Sequence, residues 1–323
     1  MKRIIIDTDP GVDDAAAILL ALASPELSVE AITTVYGNGR VEQSTRNALI
    51  ILESAGRGDI PVYQGVSKPL MRPPLTAHEV HGNDALGDAG VPAPRGTARR
   101  QHAVRALVDR VMANPGEISL LAIGPLTNVA LALSVEPRMA TALKELILMG
   151  GAVLTWGNSS EVATFNLYND PEAAAIVYQS GAPVVQAGLD VCRKTTFNDA
   201  QLEQIRQAGT RTTDLLSRIT AQRIAYYSSA GWLRGSGVQY NDVPAMAYAI
   251  DPSLFDVREY LVRIPTHDEL TKAQTVADLG YLRQAPPNAK VLMDVDAARL
   301  TDMFTARVTG YKLPDRAEGV TAE

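Results

Sequence analysis

The sequence predicts an α/β protein with a mainly parallel central sheet wrapped by helices. Apolar, β-branched runs alternate with helix-patterned stretches through the first two thirds of the chain. Two of those runs, Ile118–Ile123 and Leu146–Met149, are apolar except for Ser119, as suits strands buried on both faces. Acidic, asparagine or glycine residues follow several of the strands directly, where ligands bind in such sheets.

Taken in order, Ile4–Ile6 is a strand and Asp13–Leu22 a helix that stops near Ser24-Pro25. Between them, Pro10 suits a first helical turn and Asp9 an N-cap, its side-chain oxygen close to free backbone N–H groups. Val29–Val35 reads as the second strand, Glu42–Ser54 as a helix, and Pro61–Tyr63 as a short third strand. The stretch 64–101 is a long loop rich in proline and glycine, holding His78 and His81. Ile118–Ile123 and Leu146–Met149 are central strands, Pro171–Gln179 is a helix with proline at its start, and Val184–Ala187 is another strand. Asp199–Tyr227 is mostly helical, and the glycine-rich stretch 228–240 ends at a helix opened by Asn241-Asp242-Val243-Pro244. Glu259–Ile264 and Val291–Val295 are strand-like and Ala297–Arg307 is helical.

The chain has 323 residues, a formal net charge of −6, 46% apolar and 20% charged residues. Well-mixed charges of that sign argue against a nucleic-acid surface. No apolar run approaches the roughly 20 residues of a membrane span, and the start lacks the apolar segment of a signal peptide. A single cysteine, Cys192, excludes an internal disulfide and fits a reducing, cytoplasmic compartment.

The stretch with the most chemistry is Asp7-Thr8-Asp9-Pro10-Gly11-Val12-Asp13-Asp14. Four carboxylates fall within eight residues, between an apolar strand and an alanine-rich helix. A helix N-terminus favours each negative charge by only about 0.3–1 kcal/mol, too little to hold such a cluster at the end of a buried strand. A hard cation such as Ca²⁺ would do so, because it takes several carboxylate and carbonyl oxygens at once. An EF-hand loop counted from Asp7 would need glycine and glutamate where Val12 and Ile18 stand. An aspartyl-phosphate phosphatase also opens with a strand and Asp-x-Asp, but has threonine or valine at the position of Gly11.

The motif from Asp7 to Ala15, followed by Ala31-Ile32-Thr33-Thr34-Val35-Tyr36-Gly37-Asn38, resembles the signature of the inosine–uridine-preferring nucleoside hydrolase family. The resemblance covers nearly the whole chain, 1–323, as one catalytic domain with an open α/β fold. It implies Ca²⁺-dependent hydrolysis of the N-glycosidic bond of ribonucleosides, giving free base and ribose, by a homodimer or homotetramer. It places the cation on Asp9, Asp14, Asp242 and the carbonyl of Ile123. It makes Asp9 the base that takes a proton from the attacking water. Asp13, Asn38, Met149, Asn158, Phe165 and Asn166 become residues that bind the nucleoside, and His81 comes to the pocket rim.

Two positions depart from the family pattern. Thr164 stands where a glutamate recognises the 5′ end of the sugar, and Asn241 where a histidine protonates the leaving base. Asparagine has no proton to give at neutral pH. His81, Tyr226, Tyr227 or Tyr240 would then supply the proton, or Trp232 would stack on the base. The departures imply atypical base or 5′ recognition. The alternative is a member that binds Ca²⁺ and nucleoside with little or no turnover.

Overall fold

The computed structural model describes residues 1–229, 237–280 and 285–314, except the side chains of Tyr226 and Tyr227. Trp232 lies outside the described residues. The strands are β1 (Lys2–Thr8), β2 (Leu27–Thr34), β3 (Val62–Gln64), β4 (Ile118–Ala122), β5 (Glu145–Met149), β6 (Val184–Ala187), β7 (Phe255–Arg263), β8 (Val276–Asp278) and β9 (Ala289–Val295). In the first half the helices are α1 (Val12–Leu22), α2 (Val41–Ser54), α3 (His78–His81), α4 (Ala103–Ala113), α5 (Thr127–Val135) and α6 (Met139–Ala142). They continue with α7 (Phe165–Asn169), α8 (Pro171–Gln179), α9 (Leu189–Cys192), α10 (Asp199–Gln207), α11 (Arg211–Ser229), α12 (Val243–Ile250) and α13 (Ala297–Gly310). Among the described residues, no helix is long and apolar enough to cross a membrane.

The strands form one sheet in the order β3-β2-β1-β4-β5-β6-β9-β7-β8. Pairing is parallel from β3 across to β9, and β7 then pairs antiparallel with both β9 and β8. Alternation along β1 decides which helices it serves. Ile4 and Ile6 face the core shared with α1, α2, α12 and α13, while Ile5 faces the opposite core with α4, α5 and α8. Burial on both faces explains why β1, β4 and β5 lack a polar alternation.

Strand order reverses at β1. The chain first winds outward through β2 and β3, then returns to place β4 on the other side. At such a switch point the turns after neighbouring strands diverge and leave a crevice. Asp7 pairs level with Ala122, and the Ile123 N–H donates to the Asp7 carbonyl at 2.8 Å. The residues just beyond, Asp9 on one side and Ile123 on the other, therefore flank the crevice.

One local expectation is corrected. The first helix starts at Val12 with Gly11 as its N-cap, so neither Pro10 nor Asp9 belongs to the helix start. Asp14, third in the helix, reaches back to the Gly11 N–H at 3.0 Å and supplies the capping bond instead. Asp9 is thereby left to a different set of partners.

Candidate active site

Asp9 leaves β1 at its carboxyl end and is almost fully buried. Its Oδ2 accepts the Asn38 N–H at 2.7 Å, whereas its Oδ1 is buried without a hydrogen-bond partner. That oxygen lies against Gly124, next to Ile123: a Cβ added to Gly124 would meet it at 2.6 Å. Gly37 is equally constrained, with φ of +155° and room for no side chain, since a Cβ there would fall 2.0 Å from Asp9 Oδ2.

Asp14 is held from three sides. The Thr8 hydroxyl donates to its Oδ1 at 2.5 Å, and Gly11 N–H and Asn38 Nδ2 each donate to its Oδ2 at 3.0 Å. Asn38 Nδ2 also donates to the Asp9 carbonyl at 3.1 Å. The amide of Asn38 thus clamps the two acids to each other. Asp7, first acid of the motif, points elsewhere: it accepts from Thr33 Oγ1 at 2.6 Å and Asn128 Nδ2 at 2.9 Å, joining the strand ends behind the crevice.

Asp242 comes from the far end of the chain, as the N-cap of α12. Its side chain makes no capping bond. One carboxylate oxygen each from Asp13, Asp14 and Asp242 lie within 4.8 Å of one another. The expected metal set contained Asp9 in place of Asp13; the three acids that converge most closely include Asp13, and Asp9 stands beside them.

Electrostatics separates the acids into two kinds. Burial, and then the neighbouring Asp14 charge, pushes Asp9 well above the usual carboxylate range. Burial and Asp13 likewise raise Asp14, to about 6, and Asp242 is driven well up by burial and by Asp13, Asp14 and Asp9 together. Burial would raise Asp13 too, but Arg223 and then His81 outweigh it and hold that carboxyl below its ordinary value. Three of the four acids thus oppose their own ionisation, and one has a built-in counter-ion. Crowded dry carboxylates with an unpartnered oxygen suit a divalent cation with oxygen ligands.

Arg223 went unnoticed in the sequence. Among the described residues it is the largest fully buried side chain, 1% exposed, and its Nη1 lies 3.2 Å from Asp13 Oδ1. It rides on α11, whose buried residues Leu216, Ile219, Thr220 and Arg223 follow a three-and-four spacing. That periodicity, ending in a charged residue at a core position, was the available signal.

His81 arrives on the short helix α3. The Val12 N–H donates to its Nδ1 at 3.1 Å, which puts the ring proton on Nε2, 3.8 Å from Asp13 Oδ1. Burial lowers its pKa to about 4. His81 is therefore a neutral N–H donor, and the role of proton-carrying acid does not fit its surroundings. Tyr240 is no better placed as an acid: its ring packs against Phe197 and Phe304, its hydroxyl pairs with Thr220 Oγ1 at 2.7 Å, and burial pushes it up to about 12.

The other sequence-predicted residues divide. Asn166 Nδ2 donates to the carbonyls of Ile123 at 2.8 Å and Met149 at 3.1 Å, fixing both strand ends and aligning the Ile123 carbonyl at the crevice. Met149 is buried beneath it. Asn158 is exposed, and its Oδ1 accepts the Phe165 N–H at 2.9 Å. Thr164 is fully buried, and its hydroxyl accepts the Gly151 N–H at 2.9 Å, so it holds the glycine turn after β5. Asn241 is half-buried, and its carbonyl accepts from Cys192 Sγ at 3.1 Å.

Similarity to known proteins runs along nearly the whole chain. The sequence profile of the family described as inosine-uridine preferring nucleoside hydrolase matches residues 4–302. The chain is similar to the pyrimidine-specific ribonucleoside hydrolase RihA of Citrobacter koseri, 38% identical over 308 residues, which span 95% of this chain and 98% of that protein. RihA of Salmonella typhimurium is similar to the same extent, 38% identical over 308 residues and the same shares of each chain. Among solved structures, a purine-preferring ribonucleoside hydrolase from Gardnerella vaginalis superimposes with a TM-score of 0.91 at 32% identity, covering 96% of this chain and 99% of that one. A plant nucleoside hydrolase does so at 0.89 and 34%, with the same coverage.

Proposed function

The chain belongs to the inosine-uridine preferring nucleoside hydrolase family and is an N-ribosyl hydrolase; we propose that it is a Ca²⁺-dependent enzyme acting on pyrimidine ribonucleosides. The observation that carries the cation is the unpartnered, buried Asp9 Oδ1 beside the converging acids Asp14 and Asp242. With Asp13 already compensated by Arg223, the cation falls to Asp9, Asp14, Asp242 and the Ile123 carbonyl, and Asp13 is left to the sugar hydroxyls. The number of oxygen donors favours Ca²⁺ over the smaller Mg²⁺. The pyrimidine preference rests on the relatives named pyrimidine-specific at 38% identity.

When bound, the cation makes a nearby water more acidic and so a better nucleophile at neutral pH. Asp9 takes the water's proton. Its carboxylate suits a base, because burial raises its proton affinity and Asn38 fixes its orientation. Asp13 and the Oδ1 of Asn166 bind ribose hydroxyls, while Asn38 and Thr164 support the frame. As the glycosidic bond stretches, the sugar gains positive charge, which the surrounding carboxylates stabilise. The test is release of ribose, read as reducing sugar, from uridine, cytidine, inosine and adenosine. Uridine and cytidine should lead, chelation should abolish release, and Ca²⁺ should restore it. Release that survives chelation would remove the cation from this reading. Binding of nucleoside without release would favour the non-turning-over alternative.

A further inference from the structure

The pocket has a gap in its chemistry. A nucleoside base is a poor leaving group unless it is protonated or its departing charge is met. Among the described side chains, Asn241 cannot protonate it, His81 keeps its one ring proton on Nε2 toward Asp13, and the Tyr240 hydroxyl is engaged with Thr220. One group in the same wall is always positively charged.

We propose that Arg223 stabilises the leaving base as an anion, in place of a proton donor. The proposal rests on the nucleoside hydrolase reading above and names the substrate class: ribonucleosides whose base leaves as a stabilised anion, as an oxo-pyrimidine does. Position carries it. Thr220 lies three residues before Arg223 on α11, and residues three apart share a helix face. Thr220 Oγ1 pairs with the hydroxyl of Tyr240, so this face of α11 packs against the chain immediately before Asn241 and Asp242. From there the guanidinium reaches Asp13 at 3.2 Å. It therefore lies between the residue assigned to the sugar and the wall that carries Asn241. A guanidinium offers five donors in a planar fork, enough to hold Asp13 and to meet a second acceptor. In a dry site its charge acts strongly on charge that develops during reaction.

The step balances. The C1′–N bond breaks and its electron pair stays on the base nitrogen. The water oxygen forms the new bond to C1′, and the water proton passes to the Asp9 carboxylate. The base leaves as an anion beside Arg223 and takes a proton from solvent, while Asp9 returns its proton to solvent.

A merely structural Arg223 would neutralise Asp13 and hold the pocket together, and its loss would slow every substrate alike. The experiment separates the two with the Ca²⁺-loaded full chain. Values of kcat/KM are measured for uridine and for p-nitrophenyl β-D-riboside, whose leaving group needs no help, in wild type, Arg223→Gln and Arg223→Lys. The expected result is a loss of about 10²–10³-fold on uridine for Arg223→Gln, the scale of losing one oriented electrostatic donor. Activity on the p-nitrophenyl substrate should fall far less, by the loss of Asp13's counter-ion alone, so that the uridine to p-nitrophenyl ratio drops by about tenfold or more, and Arg223→Lys should recover part of that ratio. Equal losses on both substrates, or no loss on uridine, would overturn the proposal. A wild type inactive on both substrates would sink the hydrolase reading and this proposal with it. If the variants do not fold, wild type suffices: inhibition by 5-nitrouracil should tighten about tenfold or more as pH rises through that base's ionisation, and inhibition independent of its charge would count against the anion.

Discussion

The two walls of the crevice are built differently. On the N-terminal wall the acids are locked by backbone groups and near neighbours: Asp9 by the Asn38 N–H, Asp14 by the Gly11 N–H and the Thr8 hydroxyl, and both acids by the Asn38 amide. Glycines at 37 and 124 bring the chain so close that a side chain would strike Asp9. The C-terminal wall is looser. Asp242 caps no N–H of its own helix, Asn241 is tied through its carbonyl, and Arg223 is brought in by a long side chain from α11. On the proposed reading the cation takes Asp9 and Asp14 from the fixed wall and Asp242 from the looser one, whereas the base meets side chains that can be exchanged without rebuilding the backbone. A family can hold its sugar chemistry constant on the first wall and change its base on the second.

The contrast breaks first at Asp9. Asp9→Asn keeps an oxygen for the Asn38 N–H but removes both the proposed base and one cation ligand. The expected loss in kcat is about 10⁴-fold, the upper range for a positioned general base. Thermal stability should hold or rise, because a buried and crowded charge has gone. A variant within tenfold of wild type would move the base elsewhere in the pocket.

Gly37→Ala probes the rigidity of the same wall without changing the chemical identity of any proposed ligand. The new methyl would stand where Asp9 Oδ2 now is, on backbone with a positive φ. Strain of this kind costs about 1–3 kcal/mol. The expected outcome is a lower melting temperature and a Ca²⁺ affinity weakened by about 10-fold or more in calorimetric titration. Unchanged affinity would show that the first wall adapts, and would erase the distinction between the two.

The same contrast explains what could be read in advance. β1, β4 and β5 were legible because burial on both faces forces nearly uninterrupted apolar runs, and the acidic motif was legible because so many charges after a buried strand need a partner. The helix start was misread at Asp9 because two acids competed for one capping bond, and only the path through Pro10 and Gly11 decides that Asp14 makes it. The strand order of the sheet rests on long-range pairings such as Asp7 with Ala122, and the meeting of Asp242 with Asp13 and Asp14 on contacts more than 200 residues apart. Helix α4 lay next to the loop at 64–101 and was not picked out, although Ala103, Ala106, Leu107 and Val111 carry a buried helical stripe. For Asn38 the residue type fitted sugar binding equally well, and Thr164 reads in the sequence as a departure at the 5′ end of the sugar. Which atoms they satisfy, a carboxylate pair and a glycine turn, is set by neighbours that no local pattern reveals.

The smallest expected effect tests a tie within the fixed wall, where His81 on α3 holds the start of α1 through Val12 and Asp13. Its Nδ1 accepts the Val12 N–H, so protonating it would break that bond. The folded state accordingly lowers its pKa from the ordinary 6.5 to about 4, with burial as the main cause. Between those values the unfolded chain binds more protons than the folded one, so stability from His81 is complete above about pH 6.5 and is lost as pH falls toward 4. A bound cation would add positive charge nearby and push the value further down, leaving the sign unchanged. The slope from a single group is at most about 1.4 kcal/mol per pH unit. His81→Gln should be the less stable protein at pH 7.5, and the gap to wild type should close as pH is lowered from 6.5 to 4.5, followed by chemical denaturation in Ca²⁺. Parallel stability curves would mean that the Val12 bond survives protonation, and would place His81 on the adaptable wall instead of the fixed one.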